Sequence, residues 1–413
     1  MTGNREGQGG PRTRLLVAKG SFVAMGGAER DLLRNLPSIA ELFDVSVATL
    51  ASVKELDSLC EDLGLDLMCP SGSWTAPQGA LSSVLDSGMD SASRAWSSMD
   101  DLIGKIGGFD CVHLTSGDGS LALLEHIPDG VAVHLHLLEP HRGLHEDVLH
   151  RGVDGRPKRN LGLTRTMLSR ARRRDISAVR GLSGRERSSI SGNSSYTAGR
   201  ISEVYGVPSG VLMPSVVPDE FPAEADEGEP QGIMEIDGDY VVTVGRASWA
   251  KGTWEAISML SGSGVSLAQV GGGSDDDLQK LREHAISEGV DVWFAPRLSS
   301  PEMSSLYRGA LAVVSMAHGE PFGLTPIEAQ SVGTPALFVD EGGFRETVSD
   351  GVSGRLLPRG SFEQWHQALN DARDEVNRSL WATNGRSSIS AARLGPQGHS
   401  ERLAEIVDGI IGD

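Results

Sequence analysis

Tyr240-Val-Val-Thr-Val244, closed by Gly245-Arg246, reads as a short strand buried on both faces. Four similar runs follow it: Val265-Ser-Leu-Ala-Gln-Val270 before Gly271-Gly272-Gly273, Val290-Asp-Val-Trp-Phe294, Ala312-Val-Val-Ser315 and Ala336-Leu-Phe-Val339. Helical segments fill the intervals. Short apolar strands alternating with helices build parallel sheets, because a crossover is needed to bring each strand back in the same direction. Residues 240–398 are therefore expected to form a doubly wound α/β domain.

The first half carries the same theme less regularly. Leu15-Leu-Val-Ala-Lys-Gly20 has a buried-strand pattern, and a glycine loop follows it, Met25-Gly26-Gly27-Ala28-Glu29-Arg30. A helix-period run passes through Leu33, Leu36 and Ile39, and Val45-Ser-Val-Ala-Thr-Leu50 is the next strand. Cys111-Val-His-Leu-Thr115 and Val131-Ala-Val-His-Leu-His136 continue the series. Residues 14–215 are expected to form an α/β domain of their own. Residues 70–97, rich in Ser, Gly and Ala, define no element.

Between the two halves, residues 219–239 hold nine acidic residues and no basic one, with Pro218, Pro222 and Pro230 breaking the run. That composition predicts an acidic linker over 216–239. Residues 1–13 read as a disordered tail. Residues 399–413 read as a final amphipathic helix that can pack on either domain.

A chain of 413 residues exceeds one ordinary domain. Its formal net charge of -19 argues against a nucleic-acid partner, since phosphate contacts need clustered cations. No apolar run reaches the length of a membrane span, and the N-terminus has no hydrophobic signal region. Cys60, Cys69 and Cys111 make no metal-spaced or disulfide pattern, which suits reduced thiols in a cytoplasmic protein. Charge is unevenly spread. Residues 156–187 carry eleven basic side chains, opposed only by Asp175 and Glu186. This segment reads as a solvated helix face, or as a patch giving peripheral contact with anionic lipid at the inner face of the membrane.

The richest stretch for chemistry is His318-Gly-Glu320-Pro-Phe-Gly323-Leu-Thr-Pro-Ile-Glu328. It places two carboxylates eight positions apart around a helix start. Thr325 reads as the N-cap, Pro326 as the first helical residue and Glu328 as the third residue of a capping box. Free amides near Gly323 and Leu324 would then face a phosphate. Glu320 has no such structural explanation. Arg246 and Lys251, just past the strand at 240–244, sit where ligands bind in a parallel sheet and suit a diphosphate. Gly26 and Gly27 precede a helix and suit either a simple turn or the approach of an acceptor or second phosphate. Gly271–Gly273 lacks full dinucleotide-loop spacing and reads as a tight turn. His134 and His136 share one strand face, but no Cys or carboxylate stands at zinc-ligand spacing nearby. His136 at the strand end is expected instead to bond a sugar hydroxyl.

Together these segments resemble the retaining glycosyltransferases of family 4. Glu320 through Glu328 looks like that family's Glu-(seven residues)-Glu signature. Gly245-Arg246 through Lys251-Gly252 resembles its diphosphate-binding cations, and Gly26–Arg30 its N-terminal glycine loop. The resemblance covers about residues 14–411. It differs at Ala295-Pro296-Arg297, where a glycine-rich turn is common, and at Met316-Ala-His318, which replaces a Pro-Ser opening.

The resemblance implies the GT-B architecture: two Rossmann-like domains facing a cleft, the final helix crossing back to the first. It implies a hexose moved from a nucleotide-diphosphate sugar to a hydroxyl acceptor, a glycan, glycolipid, lipid-linked or polysaccharide precursor, with no cofactor and no metal. Arg246 and Lys251, with the amides of Gly323 and Leu324, would meet the diphosphate. Glu328 would hold the ribose, while Glu320 and His136 would stand near the reacting sugar. A nucleotide-sugar epimerase of the same architecture, or a non-catalytic sugar-nucleotide-binding protein, are the alternative readings.

Overall fold

The computed structural model describes residues 12–77, 87–217, 220–221 and 238–412. The expected tail falls outside them except for residues 12 and 13, as does most of the expected acidic linker.

Two all-parallel sheets organise the chain. The first has seven strands: β1 (Arg14–Ser21), β2 (Asp44–Ala51), β3 (Asp66–Met68), β4 (Cys111–Thr115), β5 (Ala132–His136), β6 (Ser188–Gly192) and β7 (Gly210–Val211), in the order β3-β2-β1-β4-β5-β6-β7. The second has six: β8 (Tyr240–Val244), β9 (Ser266–Val270), β10 (Val292–Phe294), β11 (Ala312–Ser315), β12 (Ala336–Val339) and β13 (Arg355–Leu357), in the order β10-β9-β8-β11-β12-β13. Each sheet starts at its centre, runs to one edge and then reverses to the other side. The crevice at that reversal is where open α/β sheets bind ligands. In the second sheet it lies between β8 and β11.

The apolar runs are explained by burial on both faces. In β1, Leu15 and Val17 point into a core with Leu36 and Ile39, while Leu16 and Ala18 point into an opposite core with Trp96 and Leu114. Alternate side chains thus feed different helix layers, so neither face of the strand is polar. The second domain builds its core on Val241, Leu267, Val313, Phe338 and Trp365. The strand expected to begin at Val290 is confined to Val292–Phe294, and β13 was not legible as an apolar run.

The final helix, Pro396–Ile411, returns to the first domain. Leu403 and Val407, both fully buried, join the core of Leu15, Leu36 and Ile39. His399 is fixed by its Nδ1, 2.7 Å from the carbonyl of Met213. Nearby the chain crosses between domains, where the amide of Val216 donates to the Leu394 carbonyl at 2.7 Å and Arg34 reaches both the Ser215 carbonyl and Glu220. Among the described residues, no helix is long and apolar enough to cross a membrane.

Candidate active site

The loops after β8 and β11 are pressed together by glycines. Gly245 has φ 135°, and a Cβ there would meet the aliphatic stem of Lys251 at 3.2 Å. Gly252 has φ 69°, and its Cβ would lie 2.0 Å from the Met316 carbonyl oxygen. Only glycine permits that approach. The result is a contact across the switch point: Lys251 Nζ stands 2.7 Å from Glu320 Oε2. Both side chains keep an exposed fraction, 35 % and 20 %, so the pair opens to the cleft. Arg246 follows β8 on the same loop; its guanidinium is exposed and has no partner among the described residues.

Glu320 is held by its backbone. Its carbonyl accepts from Gly343 N at 2.7 Å, and a Cβ on Gly343 would sit 2.5 Å from the Pro321 carbonyl. The helix that follows differs from the expected capping box. It spans Leu324–Val332, and its N-cap is Gly323 with φ 93°. Thr325 therefore lies inside the first turn and caps nothing. Among the described residues the amides of Gly323, Leu324 and Thr325 donate to no acceptor, which leaves a helix N-terminus open for an anion. Glu328 turns to another partner: Tyr307 Oη donates to its Oε2 at 2.9 Å. Burial raises the Glu328 carboxyl above the ordinary range, against the pull of that bond and of Arg34.

The first domain closes over this loop. Ser194 Oγ donates to the Pro321 carbonyl, Thr197 Oγ1 donates to the same oxygen at 3.2 Å, and the Tyr196 amide donates to Glu346 at 2.9 Å. Arg142 donates to the His318 carbonyl at 2.6 Å. Trp249 stacks on His318 and lies against Gly155 of the facing domain.

His136 is not part of this constellation. It is 2 % exposed, its Nε2 lies 3.0 Å from the Leu212 carbonyl, and its ring packs 6.2 Å from His399. The returning helix covers the strand face that carries it. His113, His134 and His136 form a buried column there, all held well below the ordinary histidine range by burial first and then by neighbouring histidines. Among the described residues, no group of three His, Cys, Asp or Glu is placed to hold a metal ion.

The residue of this segment that meets the cleft is Glu139, three positions on. Burial pushes its carboxyl up to about 7; Arg142 and Lys251 oppose the shift, while Glu320 and Glu146 add to it. An acid just past a buried strand was the one signal that marked it. Gly26 and Gly27 are exposed at the start of helix Gly27–Leu42. Glu29 secures that loop, accepting from Gly26 N at 2.8 Å and pairing with buried Lys19 at 3.1 Å.

The basic segment is mostly consumed by the fold. Arg172 donates to the Leu144 carbonyl, Arg180 to Tyr205, Arg185 to Ile127 and Arg187 to Ile411, while Arg165 and Arg174 pair with Asp147 and Asp90. Lys158, Arg159 and Arg170 remain exposed and without a side-chain partner among the described residues, and Leu149, Leu163 and Met167 are exposed in the same region.

Residues 232–387, which hold every one of the cleft residues of the second domain, match the model for glycosyl transferases group 1. That match lies within the second half of the chain. It is 35 % identical over 149 residues to a D-inositol 3-phosphate glycosyltransferase of Thermobispora bispora, covering 35 % of each chain. It is 31 % identical over 200 residues to one of Frankia alni, covering 45 % of this chain and 47 % of the relative. The chain thus aligns with about a third to a half of these relatives' length. Over its whole length the fold resembles that of Anabaena HepE, solved with UDP and glucose (TM-score 0.67, 16 % identity, 96 % of this chain and 100 % of that one). It also resembles sucrose-phosphate synthase from Thermosynechococcus elongatus (TM-score 0.71, 15 % identity, 97 % and 100 %). The architecture is GT-B.

Proposed function

We propose that this protein is a retaining glycosyltransferase that moves a hexose from a nucleoside diphosphate sugar to a hydroxyl acceptor. The observation that carries this reading is the Lys251–Glu320 contact at the β8–β11 switch point, beside the unpartnered amides of Gly323 and Leu324. Cations and amides of that kind meet a diphosphate, and a carboxylate next to them meets the sugar attached to it.

The step is a substitution at the anomeric carbon. The bond from that carbon to the diphosphate oxygen breaks, leaving positive charge on the ring and negative charge on the leaving group. Lys251, Arg246 and the two amides stabilise the latter. Glu320 holds the sugar and faces the positive ring. The acceptor oxygen bonds to the same carbon from the side the diphosphate leaves, and its proton passes to a diphosphate oxygen. Glu328, with Oε2 occupied by Tyr307, has Oε1 for the ribose hydroxyls. Gly26 and Gly27 border the acceptor side. Glu139 takes the place first assigned to His136. This scheme routes no charge through a metal.

Several relatives are named for D-inositol 3-phosphate, and the Anabaena neighbour was solved with UDP, so UDP-sugars are the first donors to test. Thermal shift with UDP-, GDP- and ADP-sugars selects the base, because a ligand that binds only the folded state raises the midpoint. Turnover is then followed as nucleoside diphosphate release with and without acceptors, and with EDTA. Acceptor-dependent release that persists in EDTA supports the proposal. Release without acceptor supports an epimerase, binding without turnover a non-catalytic protein, and no shift with any nucleotide overturns the reading.

We also propose that the segment holding Leu149, Leu163 and Met167, together with Lys158, Arg159 and Arg170, rests on an anionic lipid surface. Exposed apolar side chains and cations unpaired among the described residues, within one segment, suit it on a chain whose formal net charge is -19.

A further inference from the structure

Glu320 is flanked by two loops, and one side chain holds both. Arg359 stands two residues after β13, on the turn that follows the edge strand of the second sheet. The turn itself is fixed: Trp365, fully buried, donates from Nε1 to the Pro358 carbonyl at 3.1 Å. From there the guanidinium reaches back across the carboxyl ends of the strands. Nη1 donates to the Met316 carbonyl at 2.7 Å and to Glu255 Oε2 at 3.0 Å. Nη2 donates to the Ala317 carbonyl at 3.2 Å and to Glu341 Oε2 at 2.7 Å, and Nε donates to Glu341 Oε1 at 2.9 Å. Every N–H group of the fork has an acceptor, and the side chain is 22 % exposed.

These acceptors surround Glu320. Met316 and Ala317 lead from β11 toward it. Glu341 precedes Gly342 and Gly343, which cradle Glu320 from the other side. A Cβ on Gly342 would lie 2.6 Å from the Glu320 carbonyl oxygen, and Gly343 N donates to that oxygen at 2.7 Å. Arg359 therefore holds both the backbone before Glu320 and the loop packed against it. Glu255 carries the hold to the loop after β8. Its Oε2 also lies 2.7 Å from His318 Nε2, and the His318 ring stacks on Trp249, two residues before Lys251. The His318 amide donates to the Ala250 carbonyl at 2.9 Å. One guanidinium ties together the two loops that bring Lys251 to Glu320.

The acceptors explain why an arginine stands here. Carbonyl oxygens need donors, and two carboxylates brought together need a positive charge. A planar fork meets both demands in one fixed geometry, whereas an ammonium is a point charge with fewer donors. Arg359 acts through the loops and not on the Lys251–Glu320 pair itself. Reaction rate is sensitive to placement of this kind, since a displacement of about 1 Å at a reacting group can cost about 100-fold.

Building on the glycosyl-transfer reading above, we propose that Arg359 is a positioning residue, which sets the Glu320 carboxylate against Lys251 by clamping the loops on both sides of Glu320. The test compares Arg359→Lys with the wild type by initial rates, by calorimetry with the nucleotide sugar and by urea unfolding. Lysine keeps the charge and loses the fork. It is expected to lower kcat by about 10- to 100-fold, while donor affinity changes by less than about threefold. Arg359→Ala is expected to regain rate when methylguanidinium is added, and not with methylammonium at the same ionic strength. Because both changes can weaken folding, Glu341→Ala is the third variant. The Glu341 side chain is more than a third exposed, so its removal should lower kcat in the same sense with little change in the unfolding midpoint. Wild-type kcat in Arg359→Lys or in Glu341→Ala, a loss confined to donor affinity, or equal rescue by methylammonium would overturn the proposal. A wild type that transfers sugar beside an unaffected Arg359→Lys sinks this proposal alone. A wild type that binds nucleotide sugar and transfers nothing sinks the transfer reading, and this proposal with it.

Discussion

The ammonium of Lys251 stands 2.7 Å from the carboxylate of Glu320, although 69 residues separate them in the chain. The two loops meet at the point where the second sheet reverses direction. In the proposed transfer, a donor diphosphate entering there would meet a cation already held in place. Removing that cation by Lys251→Ala is expected to weaken donor binding by about 10- to 100-fold, corresponding to the ~1.5–3 kcal/mol of one charge-assisted contact. Glu320→Gln keeps the shape but loses the charge that the proposed reaction sets against the sugar. It is expected to lower kcat by about 100-fold with a smaller change in donor affinity. Calorimetry and initial rates separate the two effects. Near wild-type values for both variants would remove the site assignment.

Glu139 supplies a pH dependence. Its carboxyl is pushed up to about 7, mainly by burial, so it is largely neutral below that pH and charged above it. A second negative charge beside Glu320 repels a diphosphate. Donor affinity is therefore expected to fall as pH rises through about 7, and Glu139→Gln should flatten that limb while leaving affinity at pH 6 close to wild type. An identical limb in the variant would assign the titration elsewhere.

The parts of this site were unequally legible. Strands announced themselves because parallel strands are apolar on both faces, and Lys251 and Glu320 stood out as charges at strand ends. The helix start was misplaced by a local rule. Thr325 and Glu328 have capping-box spacing, but Gly343 packed under Phe322 and Gly323 in a left-handed conformation set the entry two residues earlier. His136 was misassigned because strand alternation gives two faces without saying what covers each. That is decided by His399, 263 positions away in a helix that returns from the far end of the chain. The arginines of 156–187 looked like a surface patch for the same reason: their carbonyl partners are distant in sequence.

The returning helix should carry measurable stability. Leu403 is fully buried against the first domain's core. Leu403→Ala removes buried methyl groups and leaves a cavity, at an expected cost of about 2–5 kcal/mol. Urea unfolding followed by fluorescence checks this. A change below about 0.5 kcal/mol would mean that the helix is not docked as described.

The buried histidine column predicts acid sensitivity. His113, His134 and His136 are held well below 6.5 in the folded state, so the unfolded chain binds more protons at mildly acidic pH. Stability should be full above about 6.5 and decline as pH falls from there toward the lowered folded values. His113 is the informative position, since its Nε2 has no partner among the described residues and its Nδ1 lies 3.0 Å from that of His134. His113→Asn retains a polar group near Nδ1 and removes one titrating ring. Its urea midpoint should fall less than that of the wild type between pH 7 and pH 5.5. Equal slopes would place the acid sensitivity outside the column.

For the proposed lipid contact, the fold separates two sets of cations. Lys158, Arg159 and Arg170 are exposed without side-chain partners among the described residues, whereas Arg172 and Arg180 bind backbone carbonyls. Reversing the first set to Glu should abolish sedimentation with vesicles containing phosphatidylserine while leaving the unfolding midpoint unchanged. Each lost cation removes about 1 kcal/mol of attraction near such a surface. Reversing Arg172 and Arg180 should instead lower the midpoint, because the carbonyls of Leu144 and Tyr205 lose their donors. Undiminished sedimentation after the first change would exclude this patch as the membrane contact, whatever the second change does to stability.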